Sequence, residues 1–225
     1  TDLKAGFGGH EGRALRKGDR LALGASRPGA DQNARRPFGL RAPDWGTAEP
    51  DGAFALRVLP GPEFDLFTPD AQALLWNERW RITPQSNRMG SRLAGAELQR
   101  KAGGDMLSSG VIPGTIQVPP SGQPIILMGD AQTTGGYPRI GVVIRADLWK
   151  LARAPLGGLL RLQMVDEPAA RAAWAQQQAW LAQAAQGLSL AGWPVAAGGS
   201  HNAASGNVRA TAHAAQGTSG EHDAD

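Results

Sequence analysis

The chain has 225 residues, 41% of them hydrophobic and 19% charged, a balance that fits a folded globular protein and not a disordered one. It contains no cysteine, which excludes disulfides and thiolate metal sites and fits a reducing compartment. The net charge is only +3, carried by 19 Arg and four Lys with no run longer than Arg35-Arg36, and aromatics make up 6%, a poor footprint for nucleic acid.

Apolar runs stop at about five residues, against the ~20 that a membrane-spanning helix needs. The sequence opens at Thr1 in mid-pattern and shows no signal-peptide pattern, so an N-terminally incomplete chain is expected. Residues 1–25 carry Arg13-Ala-Leu-Arg-Lys-Gly-Asp19, read as a turn leading into a strand at Arg20–Leu23. Gly6-Phe-Gly-Gly does not complete a dinucleotide-binding fingerprint, and no helix pattern follows it. Residues 26–53 are rich in Pro, Gly, Arg and Asp and read as a linker or long loop.

A second unit, 54–167, opens with a strand at Phe54–Leu59 that Pro60-Gly61-Pro62 ends. Thr68-Pro69-Asp70 is a helix start, with a hydroxyl to cap the helix and proline in its first turn. The helix over Pro69–Trp76 turns Leu74, Leu75 and Trp76 toward a core. Trp80-Arg-Ile-Thr83 is strand-like, and Ser86-Asn87-Arg88-Met89-Gly90 is a polar loop. Short apolar runs at Val111-Ile112, Thr115–Val118, Ile125–Met128, Ile140–Ile144 and Leu159–Val165 predict further strands. Turns at Pro113-Gly114, Pro119–Gly122 and Gly135–Pro138 separate four of them.

Residues 168–186, rich in Ala and Gln, predict a terminal helix. The last stretch, 187–225, holds four formally charged side chains and one aromatic, Trp193, among Ala, Gly, Ser, Asn and His, and is expected to be disordered. Three of the four histidines fall there, too widely spaced for a helical metal pair, so no metal site is assigned.

Two loops carry the candidate chemistry. Arg88 offers a planar fork suited to a carboxylate or phosphate, or else it pairs with a structural acid while Ser86 and Asn87 stabilise the turn. In Asp130-Ala-Gln-Thr-Thr134, Asp130 is either a general base or the cap of the next turn. Gln132, Thr133 and Thr134 either bind substrate or satisfy backbone groups. Tyr137, the single tyrosine, either orients a ligand or forms an aromatic wall. No G-x-S-x-G elbow surrounds Ser108-Ser109, and His10 alone could complete a Ser-His-Asp triad, across the linker. No nucleotide-binding phosphate loop and no biotin-carrying Met-Lys-Met is present.

Several motifs in order make the chain resemble the biotin-dependent carboxyltransferase family, which takes in the C subunit of 5-oxoprolinase, allophanate hydrolase subunit 2-like proteins and the kinase-inhibitor antagonist. They are Gly12-Arg13-Ala14-Leu15 with Gly18-Asp19, Arg57–Pro62, Asn87–Gly90 with Arg92-Leu93-Ala94-Gly95, Gly114–Pro124, Gln132–Pro138 and Ala146-Asp147-Leu148. The resemblance covers roughly residues 8–151 and lacks about the first third of the family's length. It departs at Pro155-Leu-Gly-Gly158, where the family has a polar Pro-Gly-Asp turn.

The resemblance implies a mainly β fold of cyclophilin-like barrel lobes, with 1–25 ending a first lobe, a few short helices, one C-terminal helix and the tail. It implies a cytoplasmic 5-oxoprolinase C subunit that joins the B and A subunits in hydrolysing 5-oxoproline to glutamate with ATP and Mg, the nucleotide being shared with those partners. Alternatives are the carboxyltransferase part of a biotin-dependent urea carboxylase, for which biotin is the cofactor, and a regulatory protein antagonising a kinase inhibitor. Under the first reading Arg88 and Asp130 are the expected catalytic residues. Asn87, Gln132, Thr133, Thr134 and Tyr137 are the expected contacts to a small-molecule substrate; neither nucleic acid nor membrane is an expected partner.

Overall fold

The computed structural model describes residues 5–24, 40, 49–104 and 106–190. Among the described residues nine strands form in chain order: β1 (Phe54–Pro60), β2 (Arg79–Ile82), β3 (Gly90–Ala94), β4 (Ser109–Gly110), β5 (Thr115–Gln117), β6 (Ile125–Leu127), β7 (Thr134–Gly135), β8 (Arg139–Val143) and β9 (Leu159–Met164). Seven of them close into a barrel in the order β1-β8-β5-β6-β3-β2-β9, and β4 pairs with β7 as a separate ribbon. The barrel's neighbours are antiparallel except β1 and β9, which run parallel from Phe54↔Leu160 to Val58↔Met164. The expected mainly β barrel is the fold found.

Alternation decides what fills the barrel. Leu56 and Val58 on β1, Trp80 on β2, Ile116 on β5, Ile126 on β6 and Leu160 and Leu162 on β9 are buried in one cluster. The intervening residues, among them Arg57, Arg81 and Arg92, point outward. Helix α1 (Pro69–Asn77) begins as its sequence predicts, with Thr68 Oγ1 accepting the Ala71 N–H at 3.2 Å and proline in the first turn. It buries Leu75 and Ala71, half-buries Leu74 and Trp76, and packs on β9. The Trp80 Nε1–H donates to the Leu75 carbonyl at 3.2 Å, so the largest core side chain keeps its polar atom satisfied.

Several expectations need correcting. Arg20–Leu23 forms no strand; Leu21 and Leu23 are exposed, and no described strand lies beside them. The turn before it is nonetheless real, because Arg13 forks onto Asp19 with two bonds of 2.8 Å. Val111-Ile112 is not a strand either. Pro113 has no N–H to give a ladder, and the Ile112 N–H turns back to Thr115 Oγ1 at 3.2 Å, so the ribbon's last bond is the one from the Val111 N–H to the Thr133 carbonyl. Strand β3 and helix α2 (Leu148–Arg153) escape the pattern reading, being short and only partly apolar.

The terminal helix, α3, runs Glu167–Leu190, past the expected 168–186, so the first four residues of the expected disordered tail are helical. Ala, Gln and Leu all favour helix, and Gly187 costs only about 1 kcal/mol against them. The rest of the tail, most of the expected linker and Asp105 lie outside the described residues. Among the described residues no helix is long and apolar enough to cross a membrane.

A buried charge cluster ties the start of the barrel to its later part. Asp147 is fully buried and accepts four contacts. The Arg57 Nε and backbone N–H reach its Oδ2 at 3.0 and 2.9 Å, Arg57 Nη2 reaches its Oδ1 at 2.7 Å, and Lys150 Nζ lies 3.1 Å from Oδ1. Burial alone would push this carboxyl up, but the Arg57 hydrogen bonds and the Lys150 charge outweigh it and hold it below the ordinary aspartate range. The stability it contributes is therefore complete above the unfolded value, about pH 4, and is lost as pH falls through the lower folded value. Asp147→Ala should cost about 3–5 kcal/mol in urea unfolding at neutral pH, since it takes the carboxylate from both Arg57 and the buried Lys150. The variant should also lose part of the wild-type acid dependence below about pH 4. A loss under about 1 kcal/mol would contradict this account.

Candidate functional site

The site is built on the outer face of the barrel, where registers bring three strands into one row. Arg92 on β3 lies opposite Ile125 on β6, and Ile125 lies opposite Gln117 on β5. Directly paired residues point to the same face of a sheet, so Arg92, Ile125 and Gln117 line up side by side. One step along, Gly90 faces Leu127. An ideal Cβ on Gly90 would sit 3.0 Å from Ile125 Cγ2, so the missing side chain leaves the apolar floor uncovered.

Two loops rise over this floor. The Ser86–Gly90 loop is held by its own polar residues: Asn87 Oδ1 accepts the Met89 and Gly90 N–H groups at 2.8 and 3.3 Å, and Ser86 Oγ accepts the Arg92 N–H at 2.9 Å. The second loop, from Asp130 to Pro138, folds back across β5. The β4–β7 ribbon anchors it through Ser109↔Gly135 and Gly110↔Thr134. Gly135 presses against Gln117, where a Cβ would come 2.5 Å from Nε2. Gln117 Nε2 donates to the Tyr137 carbonyl at 3.3 Å. This cover leaves a polar, outward-facing glutamine only 2% exposed.

The ribbon has its own support. Arg139 donates through Nη1 to the Gly110 carbonyl at 3.0 Å, and Glu63 grips the rest of the guanidinium with bonds of 2.8 and 2.5 Å. The Arg139 hydrogen bonds hold the Glu63 carboxyl below its usual range despite partial burial.

Between the two loops lies a cleft of about 170 Å³. Ile125, Leu127 and Gly90 form its floor, Asn87, Met89 and Arg92 one wall, and Gln117, Gln132 and Tyr137 the other. Of the residues singled out in the sequence, Asn87, Gln132 and Tyr137 meet here. Arg88 and Asp130 do not line the cleft; they pair with each other at its rim, Arg88 Nε to Asp130 Oδ2 at 2.9 Å, with the Asp130 N–H donating to the Arg88 carbonyl at 3.1 Å. Thr133 and Thr134 are exposed, and their backbones serve the ribbon: Thr133 O accepts the Val111 N–H at 2.9 Å.

Arg92 and Gln117 went unnoticed in the sequence because strand register, which no local motif encodes, brings them to the cleft. Chemically the lining offers amides, one guanidinium and one phenol over an apolar floor. It contains no carboxylate, imidazole or amine, so its lining can hydrogen-bond a ligand but offers no ready general base. Among the described residues no group of three or more His, Asp or Glu side chains offers a metal site.

Known proteins share much of this chain. A family model described as the carboxyltransferase domain, subdomain A and B, matches residues 1–164. The chain is 47% identical over 157 residues to the C subunit of 5-oxoprolinase from Escherichia coli K12, an alignment covering 70% of this chain and 47% of that protein. It is 41% identical over 166 residues to the same subunit from Haemophilus influenzae, covering 74% and 50%. Among solved structures, the Kluyveromyces lactis urea carboxylase superposes with a TM-score of 0.53 at 26% identity, covering 74% of this chain and 16% of that one. The chain thus spans about half the length of the curated relatives it matches.

The Arg88–Asp130 pair is exposed on both sides, with side-chain exposures of 78% and 49%. A double-mutant cycle with Arg88→Ala and Asp130→Ala, read by denaturant unfolding, should give a coupling below about 1 kcal/mol. A coupling of about 2 kcal/mol or more would mark the pair as a structural tie and remove both residues from the functional list.

Proposed function

The chain belongs to the carboxyltransferase domain family, subdomain A and B, and on that premise we propose that it is the C subunit of an ATP-dependent 5-oxoprolinase. In this reading it takes up the lactam and presents it to its partners, the B and A subunits, which complete hydrolysis to glutamate. The observation that carries the reading is the 170 Å³ cleft between the Asn87 and Gln132 loops. Pockets for drug-sized ligands run to roughly 300–1,000 Å³, so this one suits a single small ring. Its apolar floor accepts a ring face, and its amide walls match an amide edge. The relatives named for 5-oxoprolinase support the choice of lactam.

Each side chain then has a task. Gln132 and Asn87 hydrogen-bond the lactam amide, and Tyr137 walls the ring. Thr133 and Thr134 hold the covering loop at the mouth through the ribbon. Arg88 and Asp130 act from the rim on the reacting group, Arg88 as the charge that steadies anionic character as it develops and Asp130 as the base. The cleft is too small for a nucleotide, so ATP with its Mg belongs with the partner subunits, and no step here runs through it. Assembly in the cytoplasm accompanies this reading. Carboxyl transfer to urea, with biotin as cofactor, is the second reading, supported by the likeness to the Kluyveromyces lactis urea carboxylase.

The test is ATP-dependent conversion of 5-oxoproline to glutamate with this chain and the A and B subunits, each omitted in turn. Activity should disappear when this chain is left out, and Gln132→Leu should lower kcat/KM by about 10–100-fold in the full assembly. Turnover that persists without the chain, or an intact assembly with none, would shift the assignment to carboxyl transfer or regulation.

A further inference from the structure

We infer that the cleft is a carboxylate-binding site whose charge is Arg92, with the buried Gln117 amide as the neutral partner beside it. The choice of a lactam ligand rests on the reading above; the anion site itself rests on strand register and on the chemistry of the cleft walls.

Arg92 is the one charged residue of the cleft lining. Its guanidinium makes no hydrogen bond or ion pair with any described residue, although its backbone is fixed on both sides. Ser86 Oγ accepts its N–H at 2.9 Å, and its carbonyl accepts the Thr83 N–H at 2.9 Å. The root of the side chain is therefore held while the fork stays available. Three other arginines are held by acids, Arg139 by Glu63, Arg57 by Asp147 and Arg88 by Asp130, whereas Arg81 on β2 reaches only the Gly157 carbonyl.

Gln117 supplies the second half. It is 2% exposed, two strands away from Arg92 in the same row, and separated from it by Ile125. Nε2 is committed to the Tyr137 carbonyl, and no described donor reaches Oε1. That leaves the amide oxygen, at the cleft wall, able to accept a ligand N–H. Adjacent strands lie about 4.8 Å apart, so the two groups sit on strands about 10 Å apart with Ile125 between them. The fitting ligand is a small ring with a carboxylate for Arg92, a neighbouring N–H for Gln117 and an apolar face for Ile125, a side chain as long as arginine's being able to cover the gap between the strands. Arg92 engages the carboxylate through a two-pronged, charge-assisted contact, which a lysine reproduces only as a point charge.

Arg88, the arginine that the motif singles out, is the competing assignment. Its side chain is 78% exposed, already paired and absent from the cleft walls. The two are separated by binding, without recourse to turnover. L-5-oxoproline, the neutral lactam 2-pyrrolidinone and acetate are titrated into the full chain assembled with its partners, by calorimetry or ligand-observed NMR. L-5-oxoproline should bind at least about tenfold more tightly than 2-pyrrolidinone. Arg92→Gln should erase that preference, Arg92→Lys should restore part of it, and Arg88→Gln should leave it within about twofold. A preference that survives Arg92→Gln, or that vanishes with Arg88→Gln, overturns the assignment. If L-5-oxoproline does not bind but acetate does, in an Arg92-dependent way, the anion site stands and the lactam reading falls. Binding of no carboxylate at all overturns the anion site.

Discussion

A barrel whose interior is filled by Leu56, Trp80, Ile116, Ile126, Leu160 and Leu162 has no room inside for a ligand, so its functional groups have to be shown on the outer face or at the rims. Closure supplies this constraint. The parallel pairing of β1 with β9 completes the ring, and the buried Asp147 fastens β1 to the turn that follows β8. With the ring shut, register is fixed strand by strand, and the row Gln117–Ile125–Arg92 is a consequence of it. The site depends on register first and on loops second.

The loops are then secured from outside the cleft. Glu63 holds Arg139, Arg139 holds the Gly110 carbonyl, and the ribbon lays Gly135 and Tyr137 over Gln117. Asn87 and Ser86 do the equivalent work for the opposite loop through short side chain-to-backbone bonds. This is a preorganised binding wall assembled from neutral groups, with one guanidinium left unpaired. Such a surface is suited to selecting and orienting a small ligand, and it carries no carboxylate or imidazole of its own. That division suits a chain whose relatives are named as parts of a larger enzyme and which covers about half their length.

Much of this was legible in the sequence. The proline and glycine punctuation placed β1, β5, β6, β8 and β9 within a residue or two, and Thr68-Pro69 placed the start of α1. The two polar loops were visible because each follows an apolar run. Pairing between distant motifs was not visible. Arg57 and Asp147 belong to separate motifs 90 residues apart, and nothing local announces that one forks onto the other. Gln123 likewise reads as part of a turn, yet its amide accepts from and donates to the Gly95 backbone at 3.0 and 3.1 Å, locking the ends of β3 and β6 together. Arg88 stood out because it sits in a loop motif. Arg92 was hidden because a strand residue shows its value only once its neighbours across the sheet are known.

The account turns on where a small carboxylate settles, and a crystal structure of the assembled protein with L-5-oxoproline bound addresses that most directly. The expected result is the ligand over Ile125 and Leu127, its carboxylate within hydrogen-bond reach of the Arg92 fork and its ring N–H toward Gln117. A ligand seated instead on Arg88 outside the cleft, or elsewhere on the chain with the cleft empty, would contradict it.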